Sequence, residues 1–308
     1  MHLLVLSALI SSFLNINEGA DWCYQSQDPC GSHCKGPDHW QDTENADKCA
    51  GSSQSPINIV TKRALLNDNL TPLQFKGYQD AFNSYIVNNG HSVKVDVSTR
   101  ATVSGGNLLT VYKAVQFHLH WGKDGGPGSE HTVDGEQYPM EMHIVHMKQD
   151  YSSLPQALKD PTGVAVLGFF YEESPSSNRK YEPVINALKK IKQTGTNVTI
   201  NIPSLNALLP PPKNMTNYFR YQGSLTTPGC TESVVWTVFE HPVPLSKGQL
   251  KAFSELKFKS GEPMVGTFRP VQPLNGRMVY RSASNVVLAS AVLLTFSTSA
   301  AIGLSWSN

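Results

Sequence analysis

Two short histidine-rich segments constrain this chain more than any other feature. The segment 116–121 reads Gln-Phe-His-Leu-His-Trp, and the segment 141–146 reads Glu-Met-His-Ile-Val-His. Successive side chains of a β-strand point to opposite faces, so His118 and His120 share one face. If the second segment lies beside the first in a sheet, His143 meets this pair. The sequence therefore predicts two adjacent strands that bring three imidazoles together on one face.

Three neutral imidazoles around one open position are typical of a catalytic zinc site rather than a structural one. Metal-bound histidines normally donate their second ring N–H to an acceptor in the protein. Gln116 and Glu141 are placed to accept such bonds. A single histidine in an apolar strand is more often a satisfied core residue, and we interpret His146, on the face opposite to His143, in that way.

Charge and composition give no support for a nucleic-acid-binding protein and indicate a single domain. A formal net charge of +1 without a basic stripe gives no electrostatic argument for nucleic-acid binding. No linker, charge block or internal repeat divides the 308 residues, so we predict one large domain. The fold class is α/β but dominated by strands. Predicted strands span residues 85–87, 92–97, 101–104, 114–121, 140–147, 164–171 and 234–240. Predicted helices span residues 181–192, 204–209 and 246–256, the last with Ser246 as N-cap.

Both ends of the chain are typical of an exported protein. The apolar run at residues 3–14 predicts a secretory signal peptide over residues 1–20. Residues 286–308 contain no charged side chain. A transmembrane helix is one interpretation, but no Lys or Arg follows as a cytoplasmic stop. The small residues at 282–284 instead favour a glycosylphosphatidylinositol (GPI) attachment signal over residues 282–308, which leaves a folded domain at 21–281.

Cysteines and sequons agree with export. In an extracellular protein, clustered cysteines indicate disulfides, and their spacing here fits no standard cysteine metal site. The five cysteines are Cys23, Cys30, Cys34, Cys49 and Cys230. Three Asn-x-Thr sequons predict glycans on surface loops. They begin at Asn69, Asn197 and Asn214.

Several further motifs, in order along residues 22–280, show that the chain resembles the alpha-class carbonic anhydrases, most closely their membrane-anchored extracellular members. The motifs are residues 55–59 (SPINI), 88–92 (NNGHS), 117–121 (FHLHW), 128–134 (GSEHTVD), 140–146 (MEMHIVH), 218–221 (YFRY) and 224–228 (SLTTP). The resemblance implies a single large, mostly antiparallel sheet. It also implies the zinc-dependent, reversible hydration of CO2 to bicarbonate and a proton.

The resemblance implies a role for each residue of the candidate site. Zinc would carry a hydroxide that attacks CO2. Thr226 matches the hydroxyl that accepts from this hydroxide, and Glu130 the carboxylate that accepts from Thr226. Thr227 matches a second hydroxyl near the bound anion. His91 matches the proton shuttle, because an imidazole with a pKa of about 6.5 accepts and releases protons near neutral pH. The implied zinc ligands are His118, His120 and His143, and the acceptors behind them are Gln116 and Glu141.

Two further groups of residues follow from the same match. The apolar wall that holds CO2 corresponds to Val145, Val166, Leu225 and Trp236. The solvent-filled side of the site corresponds to Tyr24, Asn89 and Lys94. Lys94 departs from the neutral amide usual in the family, and we expect its charge to lower the proton affinity of His91.

The resemblance also implies covalent features and partners. It pairs Cys49 with Cys230 and Cys23 with Cys34, and leaves Cys30 free, paired with another chain, or substituting in the smaller bridge. It places the GPI anchor on Ser282, and hence the protein on the outer face of the plasma membrane. Expected ligands are CO2, bicarbonate, and sulfonamide-type and anionic inhibitors at zinc. Bicarbonate transporters are possible neighbours, and no nucleic acid is expected.

Two other functions compete with hydratase activity. A catalytically silent, carbonic-anhydrase-like binding module at the cell surface would lack zinc ligands, yet every ligand and the Thr226–Glu130 relay are present. A zinc hydrolase of peptides or esters would need a His-Glu-x-x-His helix and a separate general base, which the sequence lacks.

Overall fold

The computed structural model of this chain describes residues 22–27, 34–44, 46–97 and 100–283. The predicted signal peptide, Cys30 and residues 284–308 lie outside these ranges. The strands are β1 Asn58–Ile59, β2 Leu65–Asn67, β3 Leu73–Lys76, β4 Phe82–Asn88, β5 Val93–Asp96, β6 Thr102–Gly105, β7 Tyr112–Trp121, β8 Thr132–Val133, β9 Glu136–Gln137, β10 Met140–Lys148, β11 Val164–Ser174, β12 Asn197–Ile202, β13 Tyr218–Gly223, β14 Val234–Ser246 and β15 Tyr280–Ser282. The α-helices are α1 Leu154–Ala157, α2 Glu182–Leu188, α3 Leu205–Leu208 and α4 Lys247–Phe253. Short 3-10 turns span Gln25–Gln27, Pro37–Asp42, Asp47–Ala50, Thr61–Arg63, Arg179–Tyr181 and Pro212–Asn214.

One large sheet organises the described part of the chain. It contains 12 strands, and its main path runs β12-β4-β5-β7-β10-β11-β14-β13-β15-β2. Strand β6 pairs with β7 and with β3 at the side of this path. The pairs β11–β14 and β15–β2 are parallel, and the other neighbours in this sheet are antiparallel. The strand-dominated fold with one large, mostly antiparallel sheet is therefore confirmed.

Both faces of the central strands are covered, which explains their nearly continuous apolar sequences. Every residue of β10 from Met140 to Met147 is buried. Phe117 and Leu119 point into the larger of two hydrophobic clusters. Val145 and Val166 point into the smaller cluster on the other side. The alternation places His118, His120 and His143 on the side of the smaller cluster, and His146 on the side of the larger one.

The predicted strands all occur, and most are longer than predicted. The sequence prediction missed β12 and β13 among the longer strands, although the first (NVTINI) alternates polar and apolar residues as a half-buried strand does. The predicted helices are found at the expected places, but the observed helices are shorter than predicted, as in α4. Ser246 caps α4, accepting from the backbone N–H of Gln249 in a capping box.

The sheet includes the residue predicted to carry the anchor. Ser282 is the last residue of β15 and is buried. Its hydroxyl accepts from the Tyr218 N–H (3.0 Å) and donates to the Thr216 carbonyl (2.8 Å). The folded sheet thus reaches one residue past the predicted domain end at 281. Among the described residues, no helix is long and apolar enough to cross a membrane.

Candidate active site

The pairing of β7 with β10 brings the three histidines together. The strands are antiparallel, with His118 opposite His143 and His120 opposite Glu141. The three ring centroids are 4.6 to 5.2 Å apart. One nitrogen from each ring lies within 4.8 Å of the other two. The prediction of two adjacent strands that share a histidine face is therefore confirmed.

The outer nitrogens of two of these rings have the acceptors that the sequence predicted. His118 Nδ1 lies 3.0 Å from Gln116 Oε1, and His143 Nε2 lies 2.7 Å from Glu141 Oε1. Because a carboxylate and an amide oxygen only accept, each imidazole donates its N–H outwards. The inward nitrogens, His118 Nε2 and His143 Nδ1, are left with lone pairs that can bind a metal ion.

The third ring is oriented by a group that sequence reasoning did not find. His120 Nδ1 donates to the backbone carbonyl of Thr267 at 2.6 Å. A backbone carbonyl exists at every position, so no sequence signal could have identified this one. The inward His120 Nε2 is buried and has no hydrogen-bond partner among the described residues. A buried, unsatisfied imidazole nitrogen is costly, and a metal ion at the centre of the three rings would satisfy it.

Electrostatics favour the metal-binding form of these side chains. Burial lowers the pKa of His143, lowers that of His120 to about 3 and holds that of His118 well below its usual range. All three rings are therefore neutral at physiological pH, as zinc ligands must be. Burial alone would raise the pKa of Glu141, but His131 and His143 hold it well below the usual value.

A second cluster near the site, formed by His131, Glu141 and His143, is already saturated by hydrogen bonds. His131 Nδ1 lies 2.7 Å from Glu141 Oε1, and His131 Nε2 lies 2.7 Å from the Tyr221 hydroxyl. Glu141 Oε2 accepts the backbone N–H groups of Glu130 (2.9 Å) and His131 (2.8 Å). These bonds fix the carboxylate that orients His143. His131 lies in a motif that the sequence analysis identified without giving this residue a role.

The carboxylate of Glu130 lies between the histidines and the Thr226 loop. Its Oε2 is 3.4 Å from His120 Nε2, and its Oε1 accepts the backbone N–H of Arg269 at 2.9 Å. Burial raises the pKa of Glu130 well above its usual range, and hydrogen bonds from Thr226 and Arg269 oppose that rise. Thr226 therefore lies close enough to Glu130 to lower its pKa, and the Arg269 N–H is an additional support.

A disulfide ties this loop to the support of Glu130. Cys49 and Cys230 are bonded, with Cα atoms 4.9 Å apart, as the resemblance implied. The Cys230 N–H donates to the Thr227 carbonyl at 3.0 Å, which closes a tight turn next to Thr226. The buried Arg269 guanidinium donates to the Cys49 carbonyl at 3.3 Å. The disulfide thus links the loop to Cys49, and the Cys49 carbonyl accepts a hydrogen bond from the arginine whose backbone N–H holds Glu130.

The predicted apolar wall forms a row across three strands. Val145 pairs with Val166, and Val166 with Trp236, so the three side chains lie side by side. The Trp236 ring contacts the His143 ring, with centroids 4.7 Å apart. All three side chains are buried, and the half-buried Leu225 packs against the same cluster. Trp236 therefore lies against one of the three histidines, and the other three residues belong to the same cluster.

His91 lies in the turn between β4 and β5 and stacks on an aromatic ring. Gly90 has φ +89°, and an added Cβ would lie 3.0 Å from Thr194, so the turn requires glycine. The His91 ring is parallel to that of Trp22, with centroids 3.9 Å apart. Burial lowers its pKa to about 4. The Trp22 contact was not anticipated, because the two residues are distant in sequence.

The three residues expected on the solvent side have different environments. Asn89 Oδ1 accepts the backbone N–H groups of His91 (3.0 Å) and Ser92 (2.7 Å), so this side chain builds the turn. Tyr24 is 1 % exposed; burial, and then the nearby Glu130 charge, raise the pKa of its hydroxyl well above the usual value. Lys94 is partly exposed, with its ammonium 2.9 Å from Asp96 Oδ1.

The remaining predicted positions are a second disulfide, the three sequons, Thr227 and His146. Cys23 and Cys34 are bonded, with Cα atoms 5.7 Å apart. Asn69 and Asn197 are exposed and Asn214 is half-buried. Thr227 is half-buried beside Thr226. His146 is buried, with its ring nitrogens bonded to the Tyr78 hydroxyl and the Ile144 carbonyl, which confirms its structural role.

Comparison with known proteins identifies the family. The profile of the eukaryotic-type carbonic anhydrases matches residues 35–283. Carbonic anhydrase 4 of Rattus norvegicus is 40% identical over 300 residues, which cover 96% of this chain and 95% of the rat protein. Carbonic anhydrase 4 of Oryctolagus cuniculus is 42% identical over 268 residues, covering 86% and 85%. Carbonic anhydrase 15 of Mus musculus is 36% identical over 312 residues, covering 96% and 94%. The matches cover the strands that hold the histidines, the Thr226 loop and the apolar wall, and they support carbonate dehydratase activity. This chain therefore belongs to the eukaryotic-type carbonic anhydrase family.

Proposed function

We propose that this protein catalyses the zinc-dependent, reversible hydration of CO2 to bicarbonate and a proton at the outer cell surface. The observation that carries the proposal is the convergence of three inward imidazole nitrogens, one of them buried and unpartnered, beside a hydroxyl relay and an apolar wall. Zinc held by three neutral imidazoles acidifies a bound water to a nucleophile near neutral pH, for which the carbonic anhydrases are themselves the reference case.

The Thr226–Glu130 relay orients the attacking oxygen. Thr226 lies close enough to Glu130 to lower its pKa. In the proposed relay its hydroxyl donates to this carboxylate, so that its own lone pairs are free to accept a hydrogen from that oxygen. The backbone N–H of Arg269 also donates to Glu130 Oε1 and holds this carboxylate in place as the acceptor of the relay. A lone pair of the nucleophile is then turned towards the substrate.

The apolar row of Val145, Val166 and Trp236 supplies the place for CO2. An uncharged, linear molecule needs only a shallow hydrophobic surface, and this row adjoins the His143 ring. The half-buried Thr227 follows Thr226 in the chain, and we expect its hydroxyl to bind the bicarbonate oxygens.

His91 carries the proton between the site and solvent. Stacked on Trp22 with a pKa of about 4, its ring is a weak base at neutral pH. If the ring left the Trp22 face for solvent, its pKa would rise towards the ordinary value of about 6.5. That value is close to the pKa of the zinc-bound water that donates the proton, which favours transfer. The shuttle therefore works by alternation between a stacked and a solvated ring.

A silent binding module of the same fold would be expected to lack a ligand or part of the relay. Here all three histidines, their outer hydrogen-bond acceptors and the Thr226–Glu130 contact are in place. No observation favours the silent alternative, and none favours a peptide or ester hydrolase.

We place the protein outside the cell, anchored through GPI at Ser282 after removal of residues 1–20 and of the C-terminal tail. Two disulfides fit an oxidising compartment. The anchor would attach to the Ser282 carboxyl group, so the side chain keeps both its hydrogen bonds in β15. Glycans at the exposed Asn69 and Asn197, and at Asn214, fit the same location. Release of the protein from intact cells by a phosphatidylinositol-specific phospholipase C tests the anchor, and retention would contradict it.

The zinc assignment is tested by comparing two buried histidines, His120 of β7 and His146 of β10. Only His120 is proposed to bind zinc. His120→Ala removes a ligand, and we expect less than one tenth of the wild-type zinc content and no CO2 hydration. His146→Gln removes a buried imidazole that faces the other core, and we expect one zinc per chain. Equal zinc contents in the two variants would contradict the assignment.

A further inference from the structure

We propose that Lys94 attracts anions to the active site and so sets the affinity of this enzyme for bicarbonate and for anionic inhibitors. The inference rests on the proposed function and adds a specificity-determining residue to it. Lys94 brings a positive charge to a position where the family usually has a neutral amide.

The pairing of β5 with β7 places this ammonium beside a metal ligand. Lys94 lies directly opposite His118, and Asp96 lies opposite Gln116. Side chains directly opposite each other in an antiparallel pair share a face, with Cβ atoms about 4.5–5.5 Å apart. The charge of Lys94 is close enough to contribute to the lowered pKa of His118, although burial contributes most.

The ammonium is also accessible to a ligand that enters from solvent. The side chain of Lys94 is 36% exposed and that of Asp96 is 66% exposed. The two groups form an ion pair at 2.9 Å, but Asp96 lies two residues farther along the strand from His118. Asp96 therefore offsets the field of the ammonium in part, and Lys94 still contributes to the lowered pKa of His118.

The ammonium affects the binding of bicarbonate but not that of CO2. CO2 carries no charge and gains nothing from a nearby ammonium, whereas bicarbonate and other anions are attracted to it. A partly exposed charge changes the affinity for a monovalent anion by about 2- to 5-fold at low salt, and screening at about 1 M salt removes most of the effect.

The test measures anion binding directly. The cobalt-substituted protein is titrated with acetate and with thiocyanate at low salt, and the dissociation constants are read from the visible spectrum of the metal. We expect Lys94→Met to weaken both anions about 2- to 5-fold and Lys94→Arg to bind them like the wild type. Asp96→Asn, which frees the ammonium of its partner, should strengthen both anions. A damaged site would weaken them instead, so the opposite sign separates charge from structure.

Lys113→Met is the matched control, because it removes the same charge from β7 at a lysine whose ammonium donates to the Gln149 carbonyl. It should bind both anions like the wild type. Equal affinities in Lys94→Met and Lys113→Met, or weaker binding in Asp96→Asn, would overturn the inference. A wild-type protein that binds no metal or does not hydrate CO2 would instead contradict the proposed function.

Discussion

The buried His146 should make the stability of this protein depend on pH in a defined window. Its ring is 0% exposed and is bonded to the Tyr78 hydroxyl and the Ile144 carbonyl. Burial lowers its pKa from 6.5 to about 4, although hydrogen bonds to the backbone of Ile144 and Ala165 oppose this shift. The ring is therefore neutral in the folded protein under conditions where the unfolded chain already binds a proton.

The size and sign of the effect follow from linkage. A histidine with a depressed pKa contributes its full stability above pH 6.5 and loses it as the pH falls towards 4. One pKa unit corresponds to about 1.4 kcal/mol, so the loss between pH 7.5 and pH 5 is about 2 kcal/mol. Neutral Gln cannot titrate, so the His146→Gln variant should not show this part of the slope.

The assay is urea unfolding of the metal-free protein at pH 7.5, 6 and 5, so that zinc release does not contribute. The wild type should lose about 2 kcal/mol more in its free energy of unfolding than His146→Gln over this range. The other titrating groups are common to both proteins and cancel in the difference. Parallel slopes in the wild type and His146→Gln would refute the reasoning.

Three further predictions concern the site itself. In Trp22→Ala the His91 ring loses the surface that buries it, and NMR titration should show its pKa rising from about 4 towards 6.5; an unchanged pKa would mean that other contacts bury the ring. In Val145→Phe the added ring fills the apolar wall, and CO2 hydration measured by stopped flow should fall at least about 10-fold with zinc retained; wild-type turnover would contradict the wall. In Thr226→Val the relay to Glu130 is lost, and kcat should fall about 100-fold, whereas Thr226→Ser should keep most of the activity.

The histidine face was predictable because it follows from local geometry. Alternation along two strands is enough to place His118, His120 and His143 on one face once the strands pair. The same reasoning assigned His146 to the opposite side. Gln116 and Glu141 followed from the same alternation, since each shares a face with the histidine two residues away.

The supports of the site were not predictable, because they come from distant parts of the chain and from backbone atoms. The Thr267 carbonyl and the Arg269 N–H reach His120 and Glu130 only through the tertiary fold. Asn89 has a structural contact that residue type alone does not reveal, since its side-chain oxygen accepts the backbone N–H groups of His91 and Ser92.

Two of the missed strands differ in how predictable they were. β12 (NVTINI) alternates polar and apolar residues and follows the rule used for the other strands, whereas β13 (YFRYQG) does not alternate and is stabilised by its pairing with β14. The predicted helices were too long because apolar periodicity continues beyond the point where α2 and α4 end. Tertiary contacts, rather than propensity, set these bounds.

The measurement that tests the central claim most directly is CO2 hydration as a function of restored zinc. The secreted protein ending at Ala283 is stripped of metal with a chelator, zinc is added back in steps, and hydration is followed by stopped flow while bound zinc is determined on the same samples. We predict negligible hydration without metal, and a rate that rises in proportion to bound zinc and saturates at one ion per chain. Full zinc binding without hydration, or hydration that does not depend on zinc, would contradict the account.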